Sequence, residues 1–338
     1  MHRHIMLKKA LSWVFGAVVV VAAAVYSATQ ITPWPAALVF RVAMDRSGIA
    51  AAKALEKYVP AGVTARLNER YDAQDSDALL DVFYPSDVEN TQRRLTTVVW
   101  IHGGGFLSGS KDQIANYLRI LAAKGFTTVG VDYSLAPGRK YPTPIKQVNT
   151  ALDYLQANAA RFHLNSSEFF LAGDSAGAQI AAQLANVITA PRYAQEMGIV
   201  PSIERPQLRG VLLYCGIVAP EKLNFEKPFS LFLKTVVWSY FGERKPATNR
   251  QLSLFSIVGN VTADFPPMFI SVGNADPLAP QSRMLAQSVA DHGVPVDALF
   301  FPDDYAPPLP HEYQFDLDTE AGRIALESSV AFLIANSR

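Results

Sequence analysis

Cysteine, net charge and repetition are all scarce in this 338-residue chain. Its one cysteine, Cys215, excludes an internal disulfide and any cysteine-rich zinc site. Cys215 ends the apolar run 211–215 and reads as a packed core thiol. Lys+Arg and Asp+Glu balance at 30 each with no basic stripe, so nucleic acid is not an expected partner. No long-period repeat and no low-complexity tract occurs, which sets aside solenoids and disordered linkers. What remains is globular composition, enough for one large α/β domain or two smaller ones.

No charged residue lies between Lys9 and Arg41. Within that gap, residues 10–28 are rich in Val and Ala, and Arg3, Lys8 and Lys9 precede them. As a helix they would span roughly 28 Å, close to the ~30 Å hydrocarbon core of a bilayer. Pro33 and Pro35 are expected to end this helix beside Trp34, an interfacial anchor residue. Ala22-Ala23-Ala24 offers a signal-cleavage site, but the apolar run exceeds a signal core in length, which favours an uncleaved membrane anchor. Either way the basic end stays cytoplasmic. The rest is delivered outside, anchored, or secreted or periplasmic after cleavage.

Beyond it, residues 41–58 show helical spacing of apolar positions. Strands are expected at 63–67, 79–84, 96–101, 127–132, 168–172, 208–215, 268–272 and 296–301. Helices at 113–124, 145–158, 281–290 and 320–335 alternate with the later strands. Such alternation predicts a mostly parallel sheet covered by helices on both faces, with the site at the strands' carboxyl ends. Residues 221–257 break the rhythm with an aromatic-rich run that includes Phe225, Phe229, Phe232, Trp238 and Tyr240. They read as an extra helix that packs on the core and serves as a lid.

Chemistry enters at Gly173-Asp174-Ser175-Ala176-Gly177, which follows an apolar strand and opens a helix of small residues. This is the pattern of a nucleophile elbow, where a tight strand-to-helix turn leaves no room for flanking side chains and presents the serine hydroxyl. Asp174, adjacent in sequence, points elsewhere and is assigned a supporting role. An acyl-transfer serine also needs oxyanion donors, a base and an orienting acid. His102-Gly103-Gly104-Gly105-Phe106 directly follows a strand, and no Gly-Lys-Ser/Thr follows to make it a phosphate loop. Among the histidines, His2 and His4 belong to the leader, His102 braces the glycine loop, and His292 reads as a helix cap before Gly293. His311 lies in a proline-rich loop after the last expected strand, where the serine–acid–histidine chain order puts the base. Asp276 sits just past the strand 268–272 and is preferred as acid over Asp303 and Asp304, which read as solvated. Asn165 and Asn260 match a glycosylation pattern, but Asn165 reads as a turn cap.

With these residues placed, the chain resembles the hormone-sensitive-lipase-like carboxylesterases, in the Gly-Asp-Ser-Ala-Gly branch of bacterial type IV esterases. The resemblance covers about residues 65–335. It rests on the glycine loop, Asp132-Tyr133-Ser134-Leu135-Ala136-Pro137, the elbow, Asp276-Pro277-Leu278 and His311. It implies an α/β-hydrolase fold with a helical cap: residues 1–30 as anchor or signal, 31–65 as cap helices, and 66–338 as catalytic domain with a cap insertion at about 221–257. It implies a serine esterase for short- to medium-chain acyl esters that uses no metal or cofactor. Ser175 would be nucleophile, His311 base and Asp276 its orienter; Gly104, Gly105 and Ala176 would supply oxyanion donors. His102, Phe106, Tyr133 and Asp174 would support the site or line the pocket. A peptidase or amidase could use the same triad, and a ligand-binding protein on this scaffold would have no need of His311. The chain departs from the family pattern at Gly138, Ala279 and Glu312-Tyr313.

Overall fold

The computed structural model describes residues 2–223, 230–244 and 250–337. Its frame is an eight-stranded sheet in the order β1-β2-β4-β3-β5-β6-β7-β8. The strands are β1 (Val63–Arg70), β2 (Leu79–Pro85), β3 (Leu95–Ile101), β4 (Thr127–Val131), β5 (Leu164–Asp174), β6 (Leu208–Tyr214), β7 (Met268–Val272) and β8 (Val296–Phe300). β1 and β2 pair antiparallel, β2 joins β4 antiparallel, and all other pairings are parallel. The expected α/β architecture is therefore present, each expected strand within a few residues of its position.

The central strands are continuous apolar runs because both faces of the sheet are covered. Alternation along them divides the core in two. Val99, Leu171 and Leu213 join the cluster on one face, and Trp100, Phe170 and Leu212 the cluster on the other. The first cluster takes in α4 (Thr143–Ala157), α5 (Ala176–Thr189) and much of α9 (Ala279–Asp291). The second takes in α3 (Lys111–Ala122) and α10 (Glu320–Asn336). Three shorter helices, α6 (Pro191–Met197), α7 (Ser230–Phe241) and α8 (Arg250–Phe255), follow α5 and β6. Phe225 and Phe229 lie outside the described residues. Asn165 does cap a turn, accepting from the Ser167 N–H at 3.1 Å.

The N-terminal part differs from expectation at its prolines. Helix α1 (His2–Ile31) ends before Pro33, and α2 (Trp34–Leu55) begins at once, seven residues ahead of the expected start. Pro33 is the N-cap of α2 and Pro35 lies in its first turn. Proline is tolerated there because the first helical N–H groups lack partners anyway. The same prolines thus stop one helix and start the next. α1 contains a stretch, Trp13–Ile31, long and apolar enough to cross a bilayer, with none of it buried.

One charged contact in the interior ties sheet to helix. Lys111, at the start of α3, sits 3.1 Å from the Asp81 carboxylate of β2, and both side chains are 3% exposed. Asp81 also accepts the Asn68 N–H at 2.7 Å. Removing one partner of such a pair leaves a buried uncompensated charge, a loss of about 3–5 kcal/mol. Lys111→Met is expected to lower unfolding free energy by that order, read from the denaturant midpoint at constant slope; a midpoint unchanged would show that the pair does not hold β2 to α3.

Candidate active site

The elbow forms because two glycines let backbone meet backbone. A Cβ on Gly177 would lie 2.0 Å from the Ile101 carbonyl oxygen, and one on Gly173 2.5 Å from the Gly177 carbonyl carbon. The start of α5 is thus pressed against the end of β3. Ser175 sits at the turn with φ +51° and ψ −115°, a backbone state L-residues rarely adopt. It is held there by its N–H donating to the Tyr214 carbonyl at 2.8 Å. The strained turn is local in sequence, and the motif revealed it.

β3 delivers the glycine loop beside it. Gly104 has φ +99°, and a Cβ there would lie 2.2 Å from the Ser108 carbonyl oxygen, so only glycine fits. Among the described residues, the N–H groups of Gly104, Gly105 and Ala176 donate to no acceptor within the protein. Free N–H groups at a glycine loop and a helix start are what an oxyanion requires. His102 and Tyr133 brace the loop from behind. His102 is buried and stacked on Tyr133 at 4.3 Å, and its Nδ1 donates to the Gly103 carbonyl at 2.8 Å. Burial lowers its pKa to about 4, so it is neutral. The Tyr133 hydroxyl donates to the His102 carbonyl at 3.0 Å. Phe106 is buried and stacks on Tyr240 of α7 at 3.9 Å, docking that helix on the loop.

β7 and β8 bring the remaining pair. Asp276, past the end of β7, has a fully buried carboxylate; its Oδ1 accepts from the Leu278 N–H at 2.8 Å and its Oδ2 from His311 Nδ1 at 2.6 Å. The loop carrying His311 is fastened to the loop carrying Asp276. Leu309 N–H donates to Asn274 Oδ1 at 2.8 Å, and Ala275 N–H donates to the Leu309 carbonyl at 3.1 Å. This accounts for how a loop with four prolines holds an imidazole in register. The rivals sit elsewhere. His292 caps α9, bonded to the Ser288 carbonyl, and Asp303 is an exposed partner of Arg283.

Two neighbours of His311 escaped the sequence reading. Cys215 is buried as expected, but at the site rather than within the strand. β6 ends at Tyr214, and the thiol, the Asp276 carboxylate and the His311 ring lie within 4.8 Å of one another. Burial raises the thiol pKa to about 11, which keeps it uncharged at neutral pH. Glu312, in a left-handed conformation with φ +59°, brings a carboxylate oxygen 3.7 Å from His311 Nε2. The sequence signal for Glu312 was its departure from the pattern of the family that the chain resembles. Burial acts to lower the His311 pKa; the Asp276 hydrogen bond and the Glu312 charge oppose it and hold the imidazole above its usual value, to which Cys215 would add only as a thiolate. Asp174 accepts from Trp100 Nε1 at 2.7 Å, and its carboxyl lies beside that of Glu312. Burial, then the nearby Glu312 carboxylate, raise its pKa well above the carboxylate range.

Comparison with known proteins agrees with this frame. Residues 98–305 match the model of a family described as having the α/β-hydrolase fold. Acetyl esterase of Salmonella typhi is 30% identical over 218 residues, covering 61% of this chain and 63% of that protein. The match therefore spans less than two thirds of the length of that relative. Among solved structures, esterase B from Lactobacillus rhamnosis is similar with a TM-score of 0.75 at 23% identity, covering 89% of this chain and 97% of that one. A fungal esterase from Rhizomucor miehei is similar with a TM-score of 0.68 at 25% identity, covering 87% and 90%. These likenesses bear out the resemblance to hormone-sensitive-lipase-like hydrolases read from the motifs, and the chain belongs to the α/β-hydrolase-fold family.

Proposed function

We propose that this protein is a serine carboxylesterase acting on short- to medium-chain acyl esters. Two observations at the carboxyl ends of the strands support the reading: a strained Ser175 with unpaired N–H groups beside it, and an imidazole hydrogen-bonded at 2.6 Å to a buried carboxylate. The acetyl esterase relative supports an ester as substrate. In the mechanism, Ser175 Oγ attacks the ester carbonyl as His311 Nε2 takes its proton. The oxyanion forms against the N–H groups of Gly104, Gly105 and Ala176, and the alcohol leaves with the proton from His311. Water, deprotonated by His311, then releases the acid and restores Ser175. Asp276 fixes the Nδ1–H tautomer and stabilises the imidazolium. Each oxyanion donor is worth on the order of 10²–10³ in rate. His102, Tyr133 and Asp174 are positioning residues, while Phe106 links the pocket to α7.

The domain plan follows the same reading. Residues 1–30 are an uncleaved membrane anchor, 31–65 and about 221–257 form a cap, and the remainder is the catalytic domain, outside the cytoplasm. The exposed apolar helix Trp13–Ile31 behind a basic N-terminus supports the anchor. The contact of Phe40 in α2 with Phe232 in α7, ring centroids 5.2 Å apart, supports joining the two segments into one cap.

Ser175→Ala should lower kcat on p-nitrophenyl acetate by roughly six orders of magnitude while the circular dichroism spectrum is unchanged. Turnover retained in that variant would end the assignment. The raised pKa of His311 sets the pH dependence. An imidazolium cannot accept the serine proton, so kcat/KM should rise with pH through a value above the ordinary imidazole range. Glu312→Gln removes a negative charge 3.7 Å from Nε2, so the acid limb of its profile should move to lower pH. A limb that stays in place, or moves upward, would exclude Glu312 as a cause.

A further inference from the structure

Helix α2 presents to solvent the kind of face that helices normally bury. Trp34, Leu38, Val39, Val42 and Ile49 are 42%, 48%, 69%, 51% and 59% exposed. At helical spacing they share an arc of about 140°, interrupted by the exposed Arg46 and Lys53, and nothing among the described residues packs on it. The exposed charged residues of this helix are Arg46 and Lys53, both positive. Its acid, Asp45, is turned inward and accepts from the Gly109 N–H and Gln113 Nε2. Leu231 of α7, 65% exposed, lies one residue from Phe232, which packs on α2.

Continuity points to the occupant of this face. α1 ends at Ile31 and α2 starts at Trp34, so the apolar span enters the domain at the edge of the patch. Arg244, just beyond α7, donates to the carbonyl oxygens of Thr29 and Gln30 at the end of α1, which fastens the span to this side of the domain. A face of Trp, Leu, Val and Ile interspersed with only basic charges suits the headgroup and upper acyl region of an anionic bilayer. The inner face of the same helix lies on the candidate site. Arg41 donates to the carbonyls of Leu107, which follows the glycine loop, and Ala136. A Cβ on Gly105 would meet Phe232 at 2.9 Å and Met44 of α2 at 3.6 Å.

We propose that the outer face of α2 docks on the bilayer that α1 enters, so that the site opens at the lipid surface and receives esters dissolved in that membrane. This rests on the anchor and esterase readings above, and adds to them the orientation of the domain and the source of its substrate. Soluble esters reach such a site as well; membrane-dissolved ones reach it without crossing water.

The test uses the full chain in vesicles of phosphatidylcholine with a minority of phosphatidylglycerol. Val39→Cys is labelled with the fluorophore NBD; native Cys215, 1% exposed, is shielded from the reagent. Ile334→Cys serves as the distant control, because Ser337 beside it bonds Thr96 at the start of β3, opposite the glycine loop. Docking predicts blue-shifted emission from position 39, quenched by acyl-brominated lipid, with water-like emission from position 334. Water-like emission at 39 in chain that survives a carbonate wash overturns the docking alone; release by the wash overturns anchor and docking together. Neither readout needs turnover, so failure of the esterase reading would be seen separately as inert wild-type chain. The source of substrate is read in Val39→Asp/Val42→Asp, two exposed positions. Hydrolysis of a vesicle-dissolved medium-chain acyl ester of a long-chain alcohol should fall by about tenfold or more, with a water-soluble acetate ester within about twofold of wild type. Equal losses on both substrates, or no loss on either, overturn delivery from the membrane.

Discussion

The close approach of α5 to the end of β3 is the constraint on which the rest of the site depends. With a Cβ on Gly177, backbone oxygens of Ile101 and His102 would lie 2.0 and 2.5 Å away. Because that space is empty, β5 can turn straight into a helix while remaining paired to β3, and the two strand ends finish side by side. Ser175 and the glycine loop are then neighbours by construction rather than by loop flexibility. Everything behind the loop serves to hold that geometry. A neutral buried His102, the Tyr133 hydroxyl and the Trp100–Asp174 hydrogen bond each fix a carbonyl or side chain that would otherwise drift. Buried polar groups of this kind stabilise one arrangement because any other would leave them unpaired.

A second constraint is electrostatic. The His311 ring lies among Asp276, Cys215 and Glu312, and Glu312 in turn lies near Asp174. A carboxylate on each side of one imidazole favours its protonated form, which suits the stabilisation of an imidazolium during acyl transfer and delays formation of the neutral base. Burial of Asp174 with Glu312 beside it disfavours ionising both acids at once. The proposed base therefore works inside a small cluster of acids rather than a lone dyad, and its charge state is tied to theirs.

The helical layer over the site links these local constraints to the chain's N-terminus. α2 packs inward on α7 and the glycine loop and outward presents an apolar face next to α1. Its two faces have different sequence logic. The inward one is specified by contacts among Arg41, Met44 and Phe40, whereas the outward one has no partner among the described residues.

Much of this could be read from local pattern. Continuous apolar runs marked the central strands because both sides of the sheet are covered. The elbow and glycine loop were legible because close approach admits only glycine, and chain order singled out Asp276 and His311. The prolines at 33 and 35 marked the end of α1 but hid the start of α2, since proline both ends a helix and suits the first turn of another. Cys215 read as core because its neighbours in sequence are core; that it abuts His311 depends on β6 lying between β5 and β7, a pairing no local window contains. Glu312 lay beyond reach for a similar reason, its role arising from a left-handed turn that folds its carboxylate back toward Nε2. The layered α/β fold, the serine turn and the chemistry open to it were legible in residue order alone because they depend on residue type and short-range spacing. Strand order, the acidic surroundings of the imidazole and the facing of α2 emerged from the folded chain, because they arise where distant segments meet.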